Sequence, residues 1–375
     1  FQRTHSLTSI STGTGGSGSR SAALSLSSCS GPNRSKACTA RMEIFMYTLE
    51  QTHASIAGLL NARSIAVVGA SADPTKYGYL TLKNILDGGF SGKVYPINPK
   101  ADEILGQKAY PSLSALPEAP ETMVLLIPAG AVIRVMDEAG ALGVRSAIII
   151  TGGFREIGRH DLEAELAAVG QKHGLRFVGP NIQGLNYLPN KMNAVFFPVL
   201  QEQGGIAIVS GSGTVTAAVA GWAEDEGVGV SACINLGNQT DLCDCDFLDY
   251  FADDPNTKVI TLYIEAVKDG TRFLSTIRRV AAKKNLVILK GGRTAAGQKS
   301  AASHTGALAG DHAVFTSACR QCGAYVVQDL ETLYDAAKTL ALLPPVAGSR
   351  VMNISSSGGA GTLACDEAET QGLRI

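Results

Sequence analysis

Three observations predict an α/β architecture built from two parallel sheets in succession. From Ser64 onward, short apolar runs alternate with segments whose apolar residues recur at helical spacing. Those runs are apolar throughout, as strands covered on both faces are, with no alternation of apolar and polar positions. The composition, 45% hydrophobic and 17% charged with 42 Gly, suits closely packed strand–helix units joined by tight turns. At 375 residues the chain accommodates two or three domains.

The elements follow in chain order. Ile65–Val68, Val94–Ile97, Val124–Ile127, Ala147–Ile150 and Phe177–Val178 read as strands, with helices at Tyr79–Gly88, Ala131–Leu142 and Asp161–His173. Repeated strand–helix–strand units imply a parallel sheet, so residues 51–190 form a first domain. Asn190–Gly205 reads as a linker. The alternation then restarts. Strands are expected at Ile206–Val209, Val228–Ile234, Val259–Ile264, Leu286–Leu289 and Tyr325–Val327, with helices at Thr214–Glu226, Gly270–Lys284 and Leu330–Leu343. These make a second domain over residues 200–345, ending at Pro344-Pro345. Arg350–Ile354 reads as the first strand of a further, incomplete domain spanning 346–375.

Residues 1–50 stand apart as a leader. The first 41 hold eleven Ser, five basic residues and no Asp or Glu. Such a segment is expected to be an organellar transit peptide, a disordered tail, or sequence upstream of a start at Met42. The compartment is accordingly cytoplasmic, or organellar if the leader is a transit peptide. Without those 41 residues, 27 basic face 33 acidic residues, a net charge of −6. With no basic stripe, nucleic acid is not an expected partner. No apolar run reaches the roughly 18 residues of a membrane span. The eight Cys form no disulfide framework, and Cys319-Arg-Gln-Cys322 is a lone pair inside a helix with no second pair to complete a zinc site. No metal is expected.

Three loops carry the candidate chemistry. Gly69-Ala-Ser71 leaves the first strand as a dinucleotide-type loop does, but without the letters G-x-G-x-x-G. The second strand ends in Pro96-Ile-Asn-Pro-Lys100 instead of an acidic ribose partner. Lys100 suits a phosphate, so a phosphorylated adenosine such as coenzyme A fits better than NAD. Ser210-Gly-Ser-Gly-Thr214 opens a helix, and its two Gly permit an anion-binding nest beneath the helix dipole. An ordinary Ser/Gly cap is the alternative. The device is built twice, since Ser355-Ser-Ser-Gly-Gly-Ala-Gly361 also follows an apolar run and opens a helix. His304 lies in a small-residue loop after Leu286–Leu289, where its imidazole has room to act as a nucleophile toward phosphorus. Glu265, ending Val259–Ile264 at the same sheet edge, is a candidate acceptor for its second nitrogen.

The loop Gly291-Gly-Arg-Thr, continued by Ser303-His-Thr-Gly-Ala-Leu-Ala-Gly310, resembles the phosphohistidine loop of ADP-forming acetate–CoA ligases, relatives of succinyl-CoA synthetase. The resemblance covers about residues 55–375 and takes in Tyr95-Pro-Ile-Asn-Pro-Lys100, Gly179-Pro-Asn181, Asp253-Asp-Pro255 and Tyr263-Ile-Glu265. It implies a CoA-binding Rossmann-like domain, a flavodoxin-like ligase domain and the start of a second flavodoxin-like domain. By this resemblance His304 accepts a phosphoryl group and Glu265 orients it. Ser210, Gly211, Ser212, Gly213 and Thr214 hold phosphate. Gly69, Ala70, Ser71, Lys100, Pro128, Thr151 and Asn181 line the coenzyme A site.

The implied reaction converts acyl-CoA, most simply acetyl-CoA, with ADP and phosphate into a small carboxylic acid, CoA and ATP. It passes through an acyl phosphate and phosphohistidine. ATP/ADP, with Mg, is then expected on an ATP-grasp subunit or a fused C-terminal domain. Two positions depart from the family pattern: Ile182 stands where Cys usually follows Gly-Pro-Asn, and Gly211 where a longer side chain usually separates the two Ser. They leave open a catalytically silent CoA-binding regulatory module or an acetyltransferase-fused relative. A nicotinamide-dependent dehydrogenase would want an acidic residue near Asn98, and none is there.

Overall fold

The computed structural model describes residues 47–299, 311–345 and 347–375. The leader up to Met46 and the loop carrying His304 lie outside the described residues.

Helix α1 (Leu49–Leu60) comes first, with a Thr48/Gln51 capping box at its start. Then follow β1 (Ser64–Val68), α2 (Tyr77–Asp87), β2 (Lys93–Ile97), the short hairpin β3 (Glu103–Ile104) and β4 (Gln107–Lys108), and β5 (Thr122–Leu125). Helix α3 (Ala129–Ala141), β6 (Ser146–Ile149), α4 (His160–His173) and β7 (Arg176–Val178) complete the first layer. All five residues of β1 are buried, as a strand covered on both faces requires. The main strands run parallel in the order β2-β1-β5-β6-β7. The chain reverses its direction of travel across the sheet between β1 and β5, and at such a switch point the carboxyl ends of neighbouring strands open a crevice.

The second sheet has the order β14-β13-β12-β10-β11-β8-β9. Its elements are β8 (Gly184–Tyr187), β9 (Met192–Val195), β10 (Gln203–Ser210), α5 (Gly213–Asp225), β11 (Val230–Asn235) and α6 (Asp244–Asp253). They continue with β12 (Val259–Ile264), α7 (Gly270–Ala281), β13 (Asn285–Lys290), α8 (His312–Gln321), β14 (Tyr325–Val327) and α9 (Leu330–Leu342). Its switch point lies between β10 and β12, so the Ser/Gly loop after β10 and Glu265 after β12 share one edge.

Two expectations are corrected. Asn190–Gly205 is not a linker. It contributes β9, which pairs antiparallel with β8, and β8 pairs with β11, so this hairpin extends the second sheet. The Asn84 amide of α2 donates to Val195 O and Phe197 O at 2.9 and 2.6 Å, holding the hairpin against the first layer. Nor is Arg350–Ile354 a strand. Only one bridge forms, between Arg350 and Arg374, and Val351, Met352 and Ile354 stay exposed, because no strand among the described residues lies beside them. The helix after it, α10 (Gly358–Thr370), is present. A smaller shift affects β5, which ends at Leu125; Leu126 N still donates to Val68 O at 2.9 Å, and Pro128 then stands at the N-cap of α3.

The two sheets share an apolar core. Ile65, Val67 and Ile148 of the first pack in one cluster with Val209, Ile234 and Ile260 of the second, and α1 adds Ile56, Leu59 and Leu60. Among the described residues no helix is long and apolar enough to cross a membrane.

Candidate functional site

A cavity of about 920 Å³ opens at the carboxyl ends of both sheets, within the range of small-molecule sites. Gly69, Ala70 and Ser71 after β1, Pro128 after β5, Thr151 after β6 and Asn181 after β7 line one side. Gly211, Ser212, Gly213 and Thr214 line the other. Gly69 has φ +93°, and a Cβ there would lie 2.5 Å from Leu126 O, so only glycine allows the chain to turn this close to β5. Asn181 also adopts a left-handed backbone, at φ 64°. The Thr151 hydroxyl donates to Ile127 O at 2.8 Å and anchors the strand end.

Lys100 is exposed and is not among the lining residues; its backbone N–H donates to Asn98 Oδ1 at 2.8 Å. The cation in the wall is Lys76, at the N-cap of α2. Beside it Tyr77 stacks on Phe196 with ring centroids 4.4 Å apart. Lys76, Tyr77, Gln183, Phe196 and Asn235 are lining residues that sequence reasoning missed. Lys76 had a signal, since a basic residue stands just before the helix that follows the first strand. Phe196 had none, because its segment read as linker.

The Ser/Gly loop is held by its own side chains. Ser210 Oγ donates to Ser212 O at 2.8 Å and accepts from Ser212 N at 3.0 Å. Ser212 is the N-cap of α5. Among the described residues no acceptor takes the N–H groups of Gly213 or Thr214. Donors with no such acceptor at the start of a 13-residue helix are suited to an anion. The repeat has the same geometry: Ser355 Oγ donates to Ser357 O at 2.8 Å and accepts from Ser357 N at 3.1 Å.

A polar network backs the cavity. The loop after β11 runs along the end of β7, with Asn238 N donating to Pro180 O, Thr240 N to Gly179 O and Leu242 N to Phe177 O. Asn238 Nδ2 donates at 2.8 Å to both Glu156 Oε2 and Glu163 Oε2. Lys268 Nζ donates to the carbonyls of Asn238 and Gln239 at 3.0 and 2.7 Å. Burial alone would raise the Glu156 carboxyl, but the donors Asn238, Gly153 N and Phe154 N outweigh it and hold it below the usual range. Burial, then the nearby Arg155, lowers Lys268.

Glu265 sits past the end of β12, beside the Ser/Gly loop: Gly211 N donates to Tyr263 O at 3.2 Å, and the Tyr263 hydroxyl donates to Glu265 Oε1 at 3.2 Å. Burial, followed by the charge of Glu265, pushes Tyr263 up to about 12. Buried Lys290, lowered by desolvation, donates to Glu265 O and Gly291 O at 2.6 and 2.7 Å. The stem of the His304 loop therefore leaves the sheet next to Glu265.

Residues 63–187 match the family described as CoA binding domain, and residues 203–340 that described as succinyl-CoA ligase like flavodoxin domain. The chain is 40% identical over 327 residues to the alpha subunit of the ADP-forming acetate–CoA ligase I of Pyrococcus furiosus, covering 86% of this chain and 71% of that subunit. It is 37% identical over 313 residues to the ADP-forming acetate–CoA ligase of Methanocaldococcus jannaschii, covering 84% of this chain but 44% of that protein. Among solved structures it is similar to the dinucleotide-forming acetyl-coenzyme A synthetase 1 of Candidatus Korarchaeum cryptofilum in complex with phosphate and ADP. That match has a TM-score of 0.82 and 40% identity, and covers 85% of this chain and 69% of that one.

Proposed function

The chain belongs to the family of ADP-forming acetate–CoA ligases, and on that premise we propose that it carries the acyl-CoA half of the ligase reaction. The observation that supports this most is the single cavity joining the Gly69–Ser71 loop to the start of α5. A thioester held by the first layer would present its carbonyl to a phosphate held by the second.

In this reading phosphate attacks the thioester carbonyl, the C–S bond breaks, and CoA leaves as the thiol. The N–H groups of Gly213 and Thr214 and the α5 dipole hold the phosphate dianion, so its charge is stabilised without reorganising solvent. The phosphoryl group of the acyl phosphate then passes to His304, releasing the carboxylic acid, while Glu265 accepts from the second ring nitrogen. Transfer to ADP, with Mg, is assigned to an ATP-grasp domain on a partner subunit or fused in the same protein. Acetate is the proposed acid.

Intact mass after incubating the chain with acetyl-CoA and inorganic phosphate tests the reading. The expected result is a phosphate-sized, acid-labile increment that is lost in His304→Ala. No increment, with CoA still bound, would instead favour a silent CoA-binding module.

A further inference from the structure

Outside the cavity, one cluster of nucleophilic side chains has no part in the chemistry above. Cys243 is the N-cap of α6 and Cys245 lies in its first turn. Their sulfurs and an Asp244 carboxylate oxygen all lie within 4.8 Å of one another. Cys243 is partly exposed, and Cys245 is buried. The Arg272 guanidinium donates from Nη1 to Cys243 Sγ at 3.5 Å and from Nη2 to Asp246 Oδ1 at 2.5 Å. A cation at the sulfurs would have to displace this guanidinium, so the cluster suits thiol chemistry better than metal binding. Cys243 is open to an oxidant from solvent, and the Cys245 sulfur stands close enough to it to follow.

We propose that Cys243 and Cys245 form a peroxide-sensitive dithiol whose closure to a disulfide moves Gln239 and weakens phosphate handling at the Ser/Gly loop. The Cys243 thiolate attacks one oxygen of a hydroperoxide. The O–O bond breaks, an S–O bond forms, and the second oxygen leaves as water or alcohol after taking a proton, so sulfur is oxidised to sulfenic acid. Cys245, keeping its proton until this point through its hydrogen bond to Cys243 and its burial, then attacks that sulfur. The S–S bond forms, and the hydroxyl leaves with the Cys245 proton as water. Thiol reductants reverse the reaction.

The link to the cavity runs through Asp244, the residue between the two sulfurs. Its N–H donates to Gln239 Oε1 at 3.2 Å. The other end of that amide, Nε2, faces the Ser/Gly loop, 3.9 Å from where a Cβ on Gly211 would stand. Bridging Cys243 to Cys245 re-sets the backbone at Asp244 and pulls on that hydrogen bond. The C-x-x-C pair lacks these features. Cys319 and Cys322 are both buried, no guanidinium or ammonium donates to either sulfur among the described residues, and burial pushes Cys319 up to about 12.

The test is peroxide treatment of the full chain, followed by peptide mapping and the phosphorylation assay. The dithiol requires a cross-linked Cys243–Cys245 peptide lighter by two hydrogens and restored by dithiothreitol. Cys243→Ser should abolish it, and Cys245→Ser should leave a dimedone-reactive sulfenic acid at Cys243. Absence of the cross-link, or the same oxidation in Cys243→Ser, overturns the dithiol. Coupling to the loop rests on the proposed function. It predicts phosphorylation from acetyl-CoA and phosphate about tenfold slower in oxidised than in reduced wild type, with Cys243→Ser unaffected by peroxide. Equal rates overturn the coupling, whereas no phosphorylation even in the reduced protein counts against the functional reading, and the peptide map still decides the dithiol.

Discussion

Lys76 stands in the cavity wall and Lys100 outside it, although both follow strand ends that a sequence reader would mark. The difference is one of reach. The Asn98 amide donates to Ala70 O at 2.8 Å and folds the loop after β2 back onto the loop after β1. Its Oδ1 accepts from Lys100 N, which leaves Lys100 on the outer face. Lys76→Ala is therefore expected to weaken CoA binding about tenfold in an equilibrium titration, a loss typical of one charge-assisted contact. Lys100→Ala should change it less. A matching loss in Lys100→Ala would move the phosphate contact outward. At Gly213 a Cβ would meet Gln183 Cγ and Cδ at 2.7 Å, so Gly213→Ala must displace that side chain, which lines the cavity. Phosphorylation should fall severalfold in that variant, with the circular dichroism unchanged.

At the scale of elements, the loop between β11 and α6 clamps the two layers. Asn238 serves two carboxylates at once, so Asn238→Leu leaves Glu156 and Glu163 each short of a donor in a partly or fully buried setting. A loss on the order of 2 kcal/mol is expected, read by urea unfolding. The pH dependence has a definite sign. The folded-state pKa of Glu156 is lowered, so its contribution is present above the ordinary glutamate value near 4.5 and is lost as pH falls through the lower folded value. The stability gap between wild type and Glu156→Gln should thus be full at neutral pH and close below about pH 4.5. A gap that widens on acidification would contradict the hydrogen-bonded carboxylate. Neither Asn238 nor Glu156 announces this role in the sequence, because an Asn after a turn glycine and a Glu before a helix both have ordinary uses.

For the molecule as a whole, the shared core makes the layers interdependent. Leu59 of α1 is fully buried among residues of both sheets, although α1 precedes the first strand. Leu59→Ala is expected to cost about 3 kcal/mol through the cavity it leaves. Strands of both sheets should lose hydrogen-exchange protection together. Protection lost in only one sheet would show that they unfold independently. The exposed Val351, Met352 and Ile354 contrast with this. They have the apolar character of a strand but no strand beside them among the described residues, and an apolar run becomes a strand only when another strand satisfies its backbone.

The two successive sheets, most of their parallel strands and the Ser/Gly helix start were determined by the sequence itself, whereas α1, α6 and the β8–β9 hairpin were not. Buried parallel strands must be apolar throughout, and a tight strand-to-helix turn must contain small residues, so both leave local signatures. The family, too, was legible, through the Gly-rich segment around His304 and Gly179-Pro-Asn181. Only the tertiary structure decided that residues 184–195 join the second sheet and that Lys76 faces the cavity. It alone joined Glu156, Glu163 and Asn238 behind the site and set Gln239 between a thiol pair and the Ser/Gly loop. These are contacts between residues far apart in the chain, set by how two sheets pack, and no local spacing encodes them.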